Sequence, residues 1–161
     1  MNRAAYLGTF DPVTYGHVDV IKRAAYIYDS LLIGVAAGGK NKKSLFTAKE
    51  RVDMMKKAVK DIKNVEVGFF DCLAVDYVEE KGIKVIVRGL RMISDFEYEF
   101  QMALTNRKLN DKIETIFMMP SESYSYLSSR LIKEAASLGA NLSALVPDFV
   151  QEALKKKQKR D

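Results

Sequence analysis

The sequence has one cysteine, one histidine, three prolines and no tryptophan in 161 residues. The lone Cys72 excludes an internal disulfide framework and any cysteine-rich zinc module. Three prolines and nine glycines are too few for a collagen-like or disordered chain. Long apolar runs are missing as well. The longest early stretch, Ala4 to Leu7, falls far short of a signal h-region or of the roughly 20 residues that cross a bilayer. The expectation is a soluble, cytoplasmic protein with no membrane partner.

What is present suits one domain spanning residues 1–161. The chain is 48% hydrophobic and 29% charged, and a chain this long buries roughly two-thirds of the surface it exposes when unfolded. The net charge of +5 is unevenly spread: residues 155–161 hold five cations and one anion, leaving the body nearly neutral. Such a terminus reads as a basic, frayed helix end whose lysines complement the helix dipole. A basic balance raises nucleic acid as a partner, but no aromatic-basic strand motif accompanies it. No nucleic-acid partner is therefore expected.

Short apolar runs at Ala4–Leu7, Leu31–Ala36, Val65–Phe69, Val85–Val87 and Ile113–Met118 read as strands. Val85-Ile86-Val87 is continuously apolar and β-branched, as a strand covered on both faces should be. Between them, Val18, Ile21, Ala25 and Tyr28 recur with helical spacing, as do Val52, Met55, Val59 and Ile62. Phe96, Phe100 and Ala103 follow a related stripe. Thr47 and Glu50 form the Thr-x-x-Glu of a capping box. Further helices are expected over Asp71–Lys81, Leu131–Leu138 and Phe149–Lys157. Strands joined by helical crossovers pair in parallel, so the expected fold is α/β: a single doubly wound, Rossmann-like domain with a five-stranded parallel sheet and C-terminal helices.

Such sheets bind ligands beyond the carboxyl ends of their strands. After the first strand come Gly8 to His17, placing the only histidine at a helix N-terminus, where free N–H groups favour phosphate. After the second come Gly38, Gly39 and three lysines at 40, 42 and 43. Gly34 to Asn41 imitates a Walker A loop but lacks the hydroxyl that would meet magnesium, and Gly34 falls inside a strand. After the fourth come Arg88-Gly89-Leu90-Arg91, two guanidinium groups where planar phosphate recognition explains them better than structure does. Glu97 and Glu99 follow, either able to orient an arginine or a ribose hydroxyl. After the fifth come Pro120 to Arg130, rich in serine and leading into a helix. Positive charge and positioning without a nucleophile–base pair point to phosphoryl or nucleotidyl transfer.

Gly8 to Pro12 with Thr14 to His17 resembles the (T/H)xGH signature of the nucleotidyltransferase superfamily. Arg88–Arg91, Asp95–Glu99 and Leu127–Glu134 extend the resemblance over nearly the whole chain to the bacterial phosphopantetheine adenylyltransferases. That resemblance implies transfer of AMP from ATP to 4′-phosphopantetheine, giving dephospho-coenzyme A and pyrophosphate, with Mg2+ carried by ATP. It implies that Thr9 places the nucleophile, His17 donates to the α-phosphate and Lys42 contacts both. It places Arg91 and Ser129 on the β- and γ-phosphates. Phe10, Gly89, Leu90 and Glu99, with Tyr124, Ser125, Tyr126, Leu127, Ser128 and Arg130, would frame ATP. Arg88 would engage the pantetheine-bearing substrate, with Ala74 lining its arm. It also implies a homohexamer and feedback inhibition by coenzyme A. A rival reading keeps the chemistry with another acceptor, such as nicotinamide mononucleotide or a sugar phosphate; another takes the crevice as a nucleotide-sensing or RNA-binding module.

Overall fold

The computed structural model describes residues 2–38 and 44–158. Five parallel strands, β1 (Arg3–Gly8), β2 (Ser30–Ala36), β3 (Val65–Phe70), β4 (Val85–Gly89) and β5 (Glu114–Met118), form one sheet in the order β3-β2-β1-β4-β5. Helices α1 (Tyr15–Ile27), α2 (Ala48–Val59), α3 (Ala74–Glu80) and α4 (Ile93–Leu109) make the crossovers, and α5 (Ser129–Ser137) and α6 (Asp148–Gln158) follow the last strand. Strand order reverses at β1, which pairs with β2 on one side and β4 on the other. That reversal opens a crevice above the carboxyl ends of β1 and β4, where the loops diverge to opposite sides.

Alternation along β1 divides the core in two. Ala4 and Tyr6 join the larger cluster with residues of α1, α2, α5 and α6. Ala5 and Leu7 join Leu32, Ile86 and the α3 residues Val75 and Val78 on the opposite face. Gly34 lies within β2, where a Cβ would sit 2.4 Å from the Leu7 side chain, so it serves strand packing and not a phosphate loop.

The expected helices form with three differences. The helix expected over 71–81 begins only at Ala74, because β3 continues to Phe70, whose carbonyl accepts the Ala37 N–H at 2.8 Å, and Leu73 supplies no side-chain cap. The Phe96–Phe100 stripe is helical but does not face the core. Both rings are exposed and stack on each other at 5.4 Å, Ile93 and Tyr98 point outward, and Glu99 is the one buried residue among the described side chains of α4. The expected frayed tail is partly ordered: Lys155–Gln158 continue α6. Lys157 pairs with Glu50 at 3.0 Å and sits 5.5 Å from the centre of the Phe46 ring. Residues 159–161 lie outside the described residues.

Candidate active site

A cavity of about 600 Å³ occupies the crevice above β1 and β4. Thr9, Phe10, His17, Arg88, Gly89, Arg91, Glu99, Leu127, Ser128, Ser129 and Arg130 all line it. The structure therefore gathers residues from three separate strand exits.

The β1 exit sets the floor. Phe10 adopts a left-handed φ of 49° and turns its buried ring beneath the loop, packing edge-on against Tyr6 and His17 at 5.3 and 5.1 Å. A Cβ at Gly8 would lie 2.9 Å from that ring, which is why glycine is required there. The Tyr6 hydroxyl, deep in this floor, is pushed up to about 12 by burial and stays protonated.

His17 is held by the helix it begins. Thr14 caps α1, its Oγ1 accepting the His17 N–H at 3.4 Å, while the Thr14 N–H donates to His17 Nδ1 at 3.0 Å. A ring nitrogen that accepts cannot also carry the proton, so the neutral ring bears it on Nε2. Burial, reinforced by Arg91 and Arg88, lowers the imidazole to about 3. At neutral pH, His17 is thus an uncharged Nε2–H donor in the cavity.

The two arginines are oriented by carboxylates eleven and four residues downstream. Glu99 accepts from Arg88 Nε at 2.7 Å and from the NH2 nitrogen at 2.6 Å, and the NH1 nitrogen donates to the Leu7 carbonyl. Burial would lower the Arg88 pKa, but hydrogen bonding and charge from Glu99 outweigh it and raise it. Asp95 accepts from Arg91 at 3.0 and 3.2 Å, while Arg91 also donates to the Leu127 carbonyl at 2.6 Å, tying the β4 exit to the segment before α5. Of the two glutamates considered from sequence, Glu99 is the orienting one; Glu97 is exposed.

The α5 N-terminus closes the other wall. Ser128 caps it by accepting the Leu131 N–H, leaving the first-turn N–H groups of Ser129 and Arg130 without intrahelical acceptors and available to an anion. Ser129 Oγ donates to the Pro12 carbonyl at 2.8 Å, fastening this helix to the β1 loop.

Other expected residues lie elsewhere. Leu90, Tyr124, Ser125 and Tyr126 flank the cavity without lining it, and Tyr124 packs on Tyr15 at 6.2 Å. Ala74 starts α3 and packs beside the Val75–Val78 core without lining the cavity. Lys42 lies outside the described residues. Conversely, sequence reasoning passed over Asp11, Ser44 and Lys133, which do line the cavity. Lys133 pairs with Asp11 at 2.8 Å, and Asp11 also accepts the Leu45 and Phe46 N–H groups at 2.9 Å. The signal for Lys133 was its helical spacing: four residues after Ser129, it shares that residue's face of α5.

Residues 5–135 match the family model described as cytidylyltransferase-like. Over 160 residues the chain is 52% identical to a phosphopantetheine adenylyltransferase of Caldanaerobacter subterraneus subsp. tengcongensis, covering 99% of both chains. Over 157 residues it is 52% identical to one of Clostridium tetani, covering 98% of both. The fold also matches a solved structure from Vibrio parahaemolyticus, provisionally described as a nicotinate-nucleotide adenylyltransferase. That match has a TM-score of 0.75 at 18% identity and covers 100% of this chain and 97% of the other. The cavity at the β1–β4 reversal, with its neutral histidine and carboxylate-held arginines, is thus set in a chain that belongs to the phosphopantetheine adenylyltransferase family of cytidylyltransferase-like proteins.

Proposed function

We propose that this chain transfers AMP from ATP to 4′-phosphopantetheine, releasing pyrophosphate and forming dephospho-coenzyme A. The observation that carries the reading is the convergence of His17, Arg88, Arg91 and the α5 N-terminus on one cavity, within a chain half identical to named adenylyltransferases. An oxygen of the pantetheine-bearing phosphate attacks the α-phosphorus of ATP, forming the new P–O bond as the bond to the β-phosphate oxygen breaks. The attacking phosphate is already ionised, so no side chain need remove a proton. Catalysis then rests on placement and on stabilising charge.

The roles are assigned from the family resemblance, and the shared cavity supports those of the residues that line it. His17, donating from Nε2, meets the charge that grows on the α-phosphate and needs no proton of its own to lose. Thr9 lines the same cavity and helps place the acceptor phosphate, with Lys42 assigned to contact that phosphate and the α-phosphate. Arg88, with two N–H groups left after its bonds to Glu99 and Leu7, binds the acceptor phosphate. Arg91, Ser129 and the first-turn N–H groups of α5 hold the β- and γ-phosphates. Gly89, Phe10, Leu127, Ser128 and Arg130 frame the nucleotide. Ala74 is assigned to the pantetheine arm at the margin of the site. Mg2+ enters as part of the MgATP substrate, which suits a cavity whose charged lining is mainly cationic.

The apolar residues that α4 presents to solvent support self-association, and we assign this chain to a homohexamer. Coenzyme A shares the product's pantetheine and adenosine parts and is assigned as a competing inhibitor of the same cavity. No helix among the described residues is long and apolar enough to cross a membrane, and the reaction is placed in the cytoplasm with its ATP. The test supplies the purified chain with MgATP and either 4′-phosphopantetheine or nicotinamide mononucleotide and follows pyrophosphate. Release with phosphopantetheine alone is expected; release only with the mononucleotide, or none, refutes the proposal.

A further inference from the structure

Among the described residues, Arg51 is the largest fully buried side chain, at 1% exposure, and it does not line the cavity. Burying a guanidinium is costly unless its N–H groups are used. Four hydrogen bonds use them here, and every acceptor is a backbone carbonyl. NH1 donates to Thr9 at 2.7 Å and Ala36 at 2.6 Å, NH2 to Ala37 at 2.8 Å, and Nε to Phe46 at 3.1 Å. These carbonyls belong to three chain segments that no strand pairing joins at this level: the β1 exit, the β2 exit and the turn into α2. Asp11 stands nearby as the electrostatic counterweight, spending its own hydrogen bonds on Leu45, Phe46 and Lys133.

The positions of those carbonyls matter more than their number. Thr9 lines the cavity. Ala36–Ala37 and Phe46 bracket the chain between β2 and α2 on both sides, which is the segment that contains Lys42. A packing role alone would be met by an apolar side chain of similar volume, without desolvating a charge. From this arrangement, we infer that Arg51 is a positioning residue for the acceptor half of the reaction. It sets the Thr9 backbone and both anchors of the lysine segment relative to the cavity while touching no substrate. The inference rests on the function proposed above. The nucleotide half of the site, built from Arg91, Ser129 and the α5 N-terminus, is fastened by other bonds, to the Leu127 and Pro12 carbonyls, none of them made by Arg51.

The test compares the wild-type chain with Arg51→Lys and Arg51→Met, measuring melting temperature, ATP affinity and stoichiometry by calorimetry, and steady-state kinetics in both substrates. Lysine keeps the charge but cannot reach three segments from a planar fork. The expected result for Arg51→Lys is one ATP bound per chain with an affinity within about threefold of wild type. Turnover per ATP-binding chain falls roughly ten- to hundredfold, and the phosphopantetheine KM rises, as misplacement of reacting groups from a distance predicts. Arg51→Met should show the same split more strongly. The inference is overturned if turnover per ATP-binding chain stays within about threefold. It is also overturned if ATP affinity weakens as much as the phosphopantetheine KM rises, or if Arg51→Lys does not fold, since each makes Arg51 a general packing residue or a neutral one. A wild-type chain that binds ATP but turns over no phosphopantetheine overturns the proposed function itself, and the inference with it.

Discussion

The pairing of Arg88 with Glu99 can be tested by replacing the acid with its isosteric amide. In Glu99→Gln the side chain keeps its size but loses its charge, and its NH2 group faces one of the two guanidinium N–H donors. One of the two bonds, at 2.7 and 2.6 Å, is therefore replaced by a donor opposite a donor. Removing the partner of a buried ion pair outright costs about 3–5 kcal/mol, and the amide retains one acceptor, so about 2–3 kcal/mol is expected here. Both side chains are mostly buried, at 22% and 11% exposure, so solvent does little to screen the loss. In a domain of this length that lowers the melting temperature by roughly 4–12 °C. The control is Glu97→Gln, an exposed acid on the same helix, which should change stability by less than about 0.5 kcal/mol. Chemical denaturation of both variants, and of Glu99→Gln in an Arg88→Met background, completes a double-mutant cycle. If Glu99→Gln costs no more than Glu97→Gln, or costs the same without Arg88, the carboxylate does not hold the arginine and the reasoning fails.

Four further outcomes are expected. His17→Ala should lower kcat roughly 10²- to 10³-fold with little change in ATP affinity, the loss typical of one transition-state donor, measured as pyrophosphate release; a near-normal kcat would make the histidine structural. Because folding lowers the His17 pKa from 6.5 to about 3, the unfolded chain takes up a proton below 6.5 that the native chain refuses. This contribution to stability is full above pH 6.5 and is lost as pH falls, by at most about 2 kcal/mol at pH 5, and His17→Asn should flatten that slope in denaturation curves. Lys157→Ala should cost under about 1 kcal/mol in urea titrations and leave kcat unchanged, since the Lys157–Glu50 pair is partly exposed and does not line the cavity. For the proposed homohexamer, the wild-type mass by light scattering is expected at six times the 18.2 kDa chain, and Ile93→Asp, which puts a charge at a residue 91% exposed on α4, should lower it; an unchanged mass would remove α4 from the proposed interface.

Much of the site was legible because parallel α/β sheets confine ligands to strand exits, and strand exits can be found from apolar runs. Val85–Val87 predicted β4 and thereby placed Arg88 and Arg91 at its mouth, where the structure has them. Gly16 and His17 were likewise readable as a helix start, and they lie in the first turn of α1. Less was legible where a residue's role depends on what covers it. The Phe96–Phe100 spacing predicts a helix equally well whether its apolar face meets this chain's core or solvent, and here it meets solvent. Lys155–Lys157 look free in sequence because charge runs usually are, yet Lys157 finds Glu50 107 positions earlier.

The sequence by itself determined the element order, the parallel sheet and the family, because periodicity and motif spacing are local properties that survive without coordinates. The near neutrality of the body also followed from composition, and it makes the cations at the strand exits conspicuous. Tertiary structure alone decided how those cations are used. Arg88 is set by Glu99 and Arg91 by Asp95, Lys133 reaches Asp11 across 122 positions, and Arg51 joins three segments through carbonyls that no residue type reveals. Even the proton on His17 is settled by a backbone N–H from its own cap. Hydrogen bonds depend on ångström distances between groups brought together by the path of the chain, and that path emerges only when the whole sheet is assembled.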